Sequence, residues 1–573
     1  MKMTLYKVLI SIIFTTIITS CQDEFLQKPI GSDLNVDSVF TKKDKAISAI
    51  AQAYTYCLAT GIPVSDWSGG NNGTNHGTMD DLCGDMLNMF NWEDAYYIIR
   101  QGMSANYGNE DNYNFHWKAI RQANLVIENI DNVTDYETLE KSQIKLEMKV
   151  LIAFQYLEMF KRYGGVPIIT RSLKTTDNSI IPRASLQETL NYIVQLCDEA
   201  KDLPNTYPDN MKGRLTAGIA LAIKAEAYIF AARPLFNSST PYLSLGSNNN
   251  LICFGNADPT RWQVAADANK ALVDWSLTYG YSIINTGNPL DDYGAATSTP
   301  NNAEVLLAFN NQFSGGAGFY THYNLHYWDV NGNFLSKEML AKYYKSDGTE
   351  QTWPDATARP FSEYVSKMQA MEPRLKASIY AYTIDTWNNP SDTYWTASAI
   401  NSTITISSAC GLSTKFYYKA GTRKWFNFPI YRLAEFYLNM SEAYNEVGKS
   451  DSALLNLNVI RNRAGLPEIT ETNKDALRTI IQREWAIEFF REGHRFHDVK
   501  HWRLPNIGTE IIGGDHRYFN FTFSNTNSHI VAADFKDYKT TVAFTGFWSA
   551  NQFLNPFPLA EVNKKYLVQN PGY

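Results

Sequence analysis

The chain has 573 residues, 44% hydrophobic, 19% charged and 14% aromatic, so apolar material for a core is ample and the 35 Tyr and 13 Trp need an explanation of their own. A net charge of −7, with no run of five or six like charges, gives no sign of an electrostatic grip on nucleic acid or anionic lipid and disfavours a strongly polyanionic partner. Cys21 aside, Cys57, Cys83, Cys197, Cys253 and Cys410 form an odd, widely spaced set without a CxxC pair, which argues against a stapled fold.

In chain order, the first element is a leader. Lys2 and Lys7 supply a positive start, and Val8 to Ile18 an apolar run too short to span a bilayer. Ile18-Thr19-Ser20 leads directly into Cys21, where the apolar character stops. That boundary resembles the lipobox of bacterial lipoproteins, which implies cleavage before Cys21 and acylation of its thiol; the alternative is a plain secretory signal with an incidental cysteine. Residues 1–20 are then a signal peptide and 21–38 a lipidated tether, held at about 0.8 kcal/mol per buried methylene. Asp23 and Glu24 resemble the acidic tag that sends lipoproteins of Bacteroidetes to the outer cell surface.

The spacing of Val39, Phe40, Ile47, Ile50, Ala51 and Tyr54 predicts an amphipathic helix. From Gly61 to Tyr113 the sequence is rich in Gly, Asn, Asp and Trp and reads as loop with short helical insertions. Helical periodicity returns in "FHWKAIRQANLVIENI" and in "SQIKLEMKVLIAFQYLEMFKRYGGVPII", where Gly164 and Gly165 end the helix and Pro167 prevents its resumption. Ser185 and Glu188 stand in capping-box spacing at the start of the next helix, which ends before Pro204.

One stretch carries a repeat. In "YRLAEFYLNMSEAYNEVGKSDSALLNLNVIRNRAGLP", Tyr437, Met440, Ser441 and Tyr444 occupy the helix A positions of the tetratricopeptide pattern, Gly448 the turn, Ala453 and Leu457 helix B, and Pro467 the close. Weaker copies of helix A lie at Lys149, Ala153 and Tyr156 and at Leu221, Ala225 and Tyr228; a polar insert separates the latter from a helix B with Trp262, Ala265, Ala268 and Leu272. The fold class is therefore mostly α, a tetratricopeptide-like helix-pair scaffold. Between Asn285 and Thr422 the periodicity mostly fails and Gly, Asn, Ser, Thr and aromatics accumulate, predicting a loop-rich irregular lobe laid on the helices. A long helix is expected over "NKDALRTIIQREWAIEFFREGHRFHDVKHWR", followed by a largely extended tail docked through Phe553, Leu554, Phe557 and Tyr566.

No nucleophile elbow, P-loop, H-E-x-x-H site or dinucleotide fingerprint occurs, which counts against catalysis. His494, His497 and His501, with Asp498, share one helical face as a metal site would require, but Arg491, Arg495 and Lys500 on the same turns would repel a cation, so capping and pairing is the better reading. Glu484 and Glu488 could form the carboxylate pair of a glycosidase, yet Arg483 and Arg491 flank them and favour ion-paired scaffold carboxylates. No cofactor or metal is expected.

The loop aromatics are the better lead. A sugar ring has an apolar C–H face and a belt of hydroxyls, so its binders present flat aromatic faces beside amide and carboxylate side chains. In the loops Gly61–Trp117 and Phe313–Trp353, Trp67, Trp92, Tyr96, Tyr320, Tyr327 and Trp328 are the candidate platforms, with Asp80, Asp81, Asn91 and Asn324 as hydroxyl partners. The competing reading is that such residues pack as small cores under long loops.

The lipobox, "FQYLEMFKRYGGVPII", the tetratricopeptide unit, "REWAIEFFREGHRFHDVKHWR" and the terminal "NPFPLAEVNKKYLVQNPGY" together resemble the SusD/RagB family of outer-membrane lipoproteins over essentially the whole chain. The resemblance implies a single domain over residues 39–573, with about four helix pairs mainly in 115–284 and 423–503 and a ligand-bearing lobe mainly in 61–114 and 285–422. It implies capture of oligosaccharides at the cell surface without cleavage and delivery to a SusC-like TonB-dependent transporter. A peptide receptor on the same fold and, less favoured, a surface glycoside hydrolase stay open.

Overall fold

The structure is a computed structural model that describes residues 36–59, 79–89, 94–106, 113–311, 333–381, 410–413, 415–416, 426–524 and 532–573. Cys21, with the leader and most of the tether, lies outside the described residues.

Among the described residues the first half is helical apart from one short strand: α1 (Lys43–Ala59), β1 (Met86–Asn88), α2 (Asp94–Gln101), α3 (Tyr113–Asn129), α4 (Thr138–Tyr163), α5 (Leu186–Glu199), α6 (Ala217–Ala232) and α7 (Thr260–Thr278). Successive helices pack on one another from α3 to α7, with α1 against α3 and α4, so each helix buries its apolar face on the next. Local chemistry sets the ends. Ser185 and Glu188 exchange the two hydrogen bonds of a capping box at the start of α5. Gly164 ends α4 at φ +81°, its amide donating to Phe160 O at 3.1 Å. A Cβ on Gly165 would stand 2.1 Å from Ala184 O, so the second glycine serves close backbone approach. Gly218 does the same between helices, for a Cβ there would meet the Trp275 ring at 2.1 Å and push α6 away from α7.

The second half interleaves strands with helices: α8 (Pro289–Ser298), β2 (Val305–Asn311), β3 (Asn333–Leu335), β4 (Arg359–Pro360), α9 (Phe361–Gln369), α10 (Pro373–Ser378), β5 (Ile379–Tyr380), β6 (Leu412–Ser413), β7 (Phe426–Arg432), α11 (Leu433–Glu446), α12 (Ser450–Arg463), α13 (Lys474–Glu488), α14 (Arg495–His501), β8 (Gly514–Phe523) and β9 (Phe535–Gly546). The tetratricopeptide unit forms as read. In it α11 packs on α12, Gly448 turns at φ +77°, Ala453 and Leu457 are buried, and Ser441 Oγ donates to Ala453 O at 2.9 Å. Helix α11 also packs on α7 and α13, which continues the stack.

Two expectations need correction. The long helix over 473–503 is two helices, because Arg491 (φ +66°) and Gly493 (φ +82°) turn the backbone between α13 and α14. The turn aims the Arg491 amide at Asp80 and the Glu492 carboxylate at Arg432 and Lys415. The chain after Trp502 also holds a two-stranded hairpin that the periodicity reading passed over: β8 and β9 pair antiparallel from Gly514↔Gly546 to Phe523↔Phe535, with β4 on the outside of β9. Its signal was the alternation of Phe519, Phe521 and Phe523; Phe519 and Phe521 are buried and pack with Tyr538 and Phe535 against Phe361 and Tyr364 of α9. Leu554 and Phe557 of the tail are buried and Phe553 and Tyr566 partly so, although Ala550–Phe553 and Leu559–Val562 are short helical turns rather than extended chain.

Candidate functional site

The described ends of the candidate loops come together. β1 pairs antiparallel with β3 (Met86↔Leu335, Asn88↔Asn333), so residue 89, which leads toward Asn91 and Trp92, and residue 333, which closes the segment of Tyr320 to Trp328, leave one small sheet. Leu335 N donates to Gly411 O at 3.0 Å, which brings β6 and the end of segment 382–409 to the same place. At the other end of segment 312–332, Asn311 pairs with Phe426, the first residue after 417–425. Hydrogen-bonded strand ends therefore bring described residues far apart in sequence together at two places, β1 with β3 and β6, and β2 with β7.

Of the candidate residues, Trp67, Asn91, Trp92, Tyr320, Asn324, Tyr327 and Trp328 lie outside the described residues. Tyr96 is described, half-buried on α2. The Arg100 guanidinium, one turn on, sits 3.6 Å from the centroid of the Tyr96 ring and 3.7 Å from that of Phe544 on β9. Arg100 also donates to Tyr96 O at 2.9 Å and to Asn88 O at 3.0 Å, tying α2 to β1. One face of the Tyr96 ring is thus held by a cation, and Tyr97 meets its edge at 5.2 Å. Arg100 and Phe544 were missed by sequence reasoning; the i, i+4 spacing of Tyr96 and Arg100 was readable, the cross-strand arrival of Phe544 was not.

Asp80 and Asp81 are a correction. They are 2% and 0% exposed, so neither carboxylate faces solvent as a hydroxyl partner would. Both stand in a 3-10 turn, Met79–Cys83, whose residues are all buried. Asp80 accepts from the Arg491 amide at 2.9 Å and Asp81 from Asn88 Nδ2 at 3.4 Å, while Asp85 pairs with Arg495 at 3.0 Å. Burial, opposed by Arg491, pushes the Asp80 carboxyl up to about 7. These acids clamp the loop end to the turn between α13 and α14; polarity in a loop sequence does not reveal that the turn is roofed over.

The two acid and imidazole clusters are structural. Glu484 accepts from Arg461 at 2.7 Å and from Arg374 at 2.9 Å, and Glu488 from Arg432 at 2.7 Å, Arg374 at 3.2 Å and Arg463. The flanking Arg483 instead reaches Lys342 O and Glu350, so the ion-pairing expectation holds with different partners. His501 Nε2 contacts Lys161 O at 2.9 Å, with its ring edge-on to Phe230 and Phe236. Burial holds the His494, His497 and His501 imidazoles below their usual range, hence neutral. Among the described residues no group of three or more His, Cys, Asp or Glu could hold a metal ion, and no helix is long and apolar enough to cross a membrane.

Comparison with known proteins agrees with this architecture. A family model described as the SusD family matches residues 279–573, and one described as starch-binding associating with outer membrane matches residues 41–229. A SusD-like protein of Formosa agariphila is 23% identical over 417 residues, 69% of this chain and 72% of its own. A solved SusD-like protein of Bacteroides fragilis superposes with a TM-score of 0.70 at 22% identity, covering 96% of this chain and all of that one. A laminarin-binding SusD-like protein superposes with a TM-score of 0.56 at 17% identity over 93% of this chain and all of its own.

Proposed function

The chain belongs to the SusD family, and from that premise we propose that it is a non-catalytic receptor that captures oligosaccharides at the cell surface and passes them to a SusC-like TonB-dependent transporter. Cys21 carries the lipid that tethers it to the outer membrane. The observation that carries the reading is the β1–β3 pairing, which joins the described ends of two aromatic-rich segments, with Arg100 tying Tyr96 to β1. A platform whose ring is already fixed by Arg100 loses little freedom when a sugar stacks on it. Asp80 and Asp85 are engaged by Arg491 and Arg495 and Asp81 by Asn88, and Asn91 and Asn324 take the hydroxyl-binding role.

Each stacked ring adds about 0.5–1.5 kcal/mol beyond burial, so a few platforms give micromolar to millimolar affinity, which suits handover. The test is titration calorimetry of the purified protein against neutral and acidic oligosaccharides and a peptide digest, with the products analysed by chromatography. Binding of one glycan class without new products, weakened about 2- to 13-fold by Trp92→Ala or Trp328→Ala, supports the receptor. A peptide response with glycan silence, or the appearance of new reducing ends, refutes it.

A further inference from the structure

A second concavity lies on the helical scaffold, and its lining includes none of the candidate glycan-binding residues. It has a volume of about 470 Å³, within the range of small-molecule pockets. Its floor is a stripe of α3, Tyr113, Trp117 and Ile120, with Arg121 at its rim, at spacings that put all four side chains on one face of the helix. Pro167 and Ile169 close one wall and Tyr566 of the tail another.

The floor is rigid. Trp117 stands edge-on to Tyr113 at 5.8 Å and to Tyr156 at 6.1 Å, and Tyr113 is in turn edge-on to Tyr163 and Phe557. Such a lattice holds its rings in place before a ligand arrives.

The charges on the rim are unequal. Lys564 is paired with Glu561 at 2.8 Å and Arg171 with Asp177 at 2.6 Å. Arg121 is exposed and donates to Leu173 O, and among the described residues no carboxylate lies within salt-bridge distance of it. The uncharged polar lining is limited to Asn114, Ser179 and the Tyr hydroxyls, too little to satisfy the hydroxyl belt of a neutral sugar. One cation without a carboxylate partner beside an aromatic floor matches a ligand with one negative charge and a flat apolar body.

We propose that this cavity binds a small amphipathic carboxylate, its apolar ring against Trp117 and Tyr566 and its carboxylate on the Arg121 guanidinium. The probes are 3-phenylpropanoate and its neutral counterpart 3-phenylpropanol, followed by saturation-transfer NMR and calorimetry on the purified protein. The acid should bind in the millimolar range or tighter, and about tenfold more tightly than the alcohol, because a charge-assisted pair is the stronger bond. Arg121→Gln, on an exposed rim position that leaves the core intact, should erase that preference without changing affinity for the alcohol. Trp117→Ala should abolish binding of both. Equal affinity for acid and alcohol, an unchanged preference in Arg121→Gln, or absence of binding by the acid at millimolar concentration would overturn the assignment. Each of these outcomes is independent of oligosaccharide binding at the loop face.

Discussion

Glu488→Gln is the sharpest probe of how the irregular lobe is fastened to the helices. Five carboxylates (Glu304, Glu372, Glu484, Glu488 and Glu492) face five cations (Arg374, Arg432, Arg461, Arg463 and Lys415) in one buried network, so its formal charges cancel. Glu488 is 0% exposed and is shared by three guanidiniums, from α10, β7 and α12. An isosteric amide keeps the volume but leaves one buried cation uncompensated and aims an NH₂ at a guanidinium. Removing one partner of a buried pair costs about 3–5 kcal/mol, whereas Glu350→Gln, which breaks a pair whose acid is 76% exposed, should cost less than about 1 kcal/mol. Urea unfolding followed by circular dichroism and by tryptophan fluorescence, with coincident transitions and an unchanged slope, measures both variants on one scale. Burial alone would raise the Glu488 carboxyl, but Arg463, Arg432 and Arg374 outweigh it and hold the group well below its usual range. A depressed pKa in the folded state contributes stability that is present above the unfolded value of about 4.3 and is lost as pH falls toward the folded one. The gap between parent and variant should therefore be constant from about pH 8 to pH 5 and narrow below that range. A Glu488→Gln protein no less stable than Glu350→Gln would show that the network is not what holds the lobe.

Glu435 is the opposite case: burial first and then the Glu226 carboxylate hold its carboxyl well above the usual range, so the folded state keeps a proton that the unfolded chain releases. Stability then falls as pH rises above about 4.3, and Glu435→Gln should gain on the parent by up to about 1.4 kcal/mol per pH unit in thermal or urea melts between pH 5 and pH 8. A flat difference would mean that the carboxylate is ionised and paired. Gly218→Ala should destabilise by about 1–3 kcal/mol, because the new methyl meets the Trp275 ring; the readouts are urea melts and the near-ultraviolet signal of that ring. All five described cysteines are free and buried, so thiol titration of the native protein should find none of these five reactive. In denaturant, five reactive thiols mark a lipidated Cys21 and six an unmodified one, since the chain has six cysteines in all.

What could be read from the sequence was whatever depends on neighbours within a few turns. The Ser185 box, the stop at Gly164 and the nested Ala453 and Leu457 of the tetratricopeptide unit follow from hydrogen bonds and packing between residues near one another in sequence, three apart in the Ser185 box, and they recur where the sequence puts them. The alternation of Phe519 to Phe523 was legible too, but it follows a long helical pattern and is short beside it. The tertiary structure decided what depends on long loops closing. Arg374 meets Glu484 across 110 residues and the Arg491 amide meets Asp80 across 411, so no local pattern shows that these charges are buried or which acid takes which base. The same applies to the two proposed binding surfaces. The platform at Tyr96 needs Phe544 from a distant hairpin, and the cavity over Trp117 needs Tyr566 from the tail, because a concave surface is made by elements that the chain brings together only after folding.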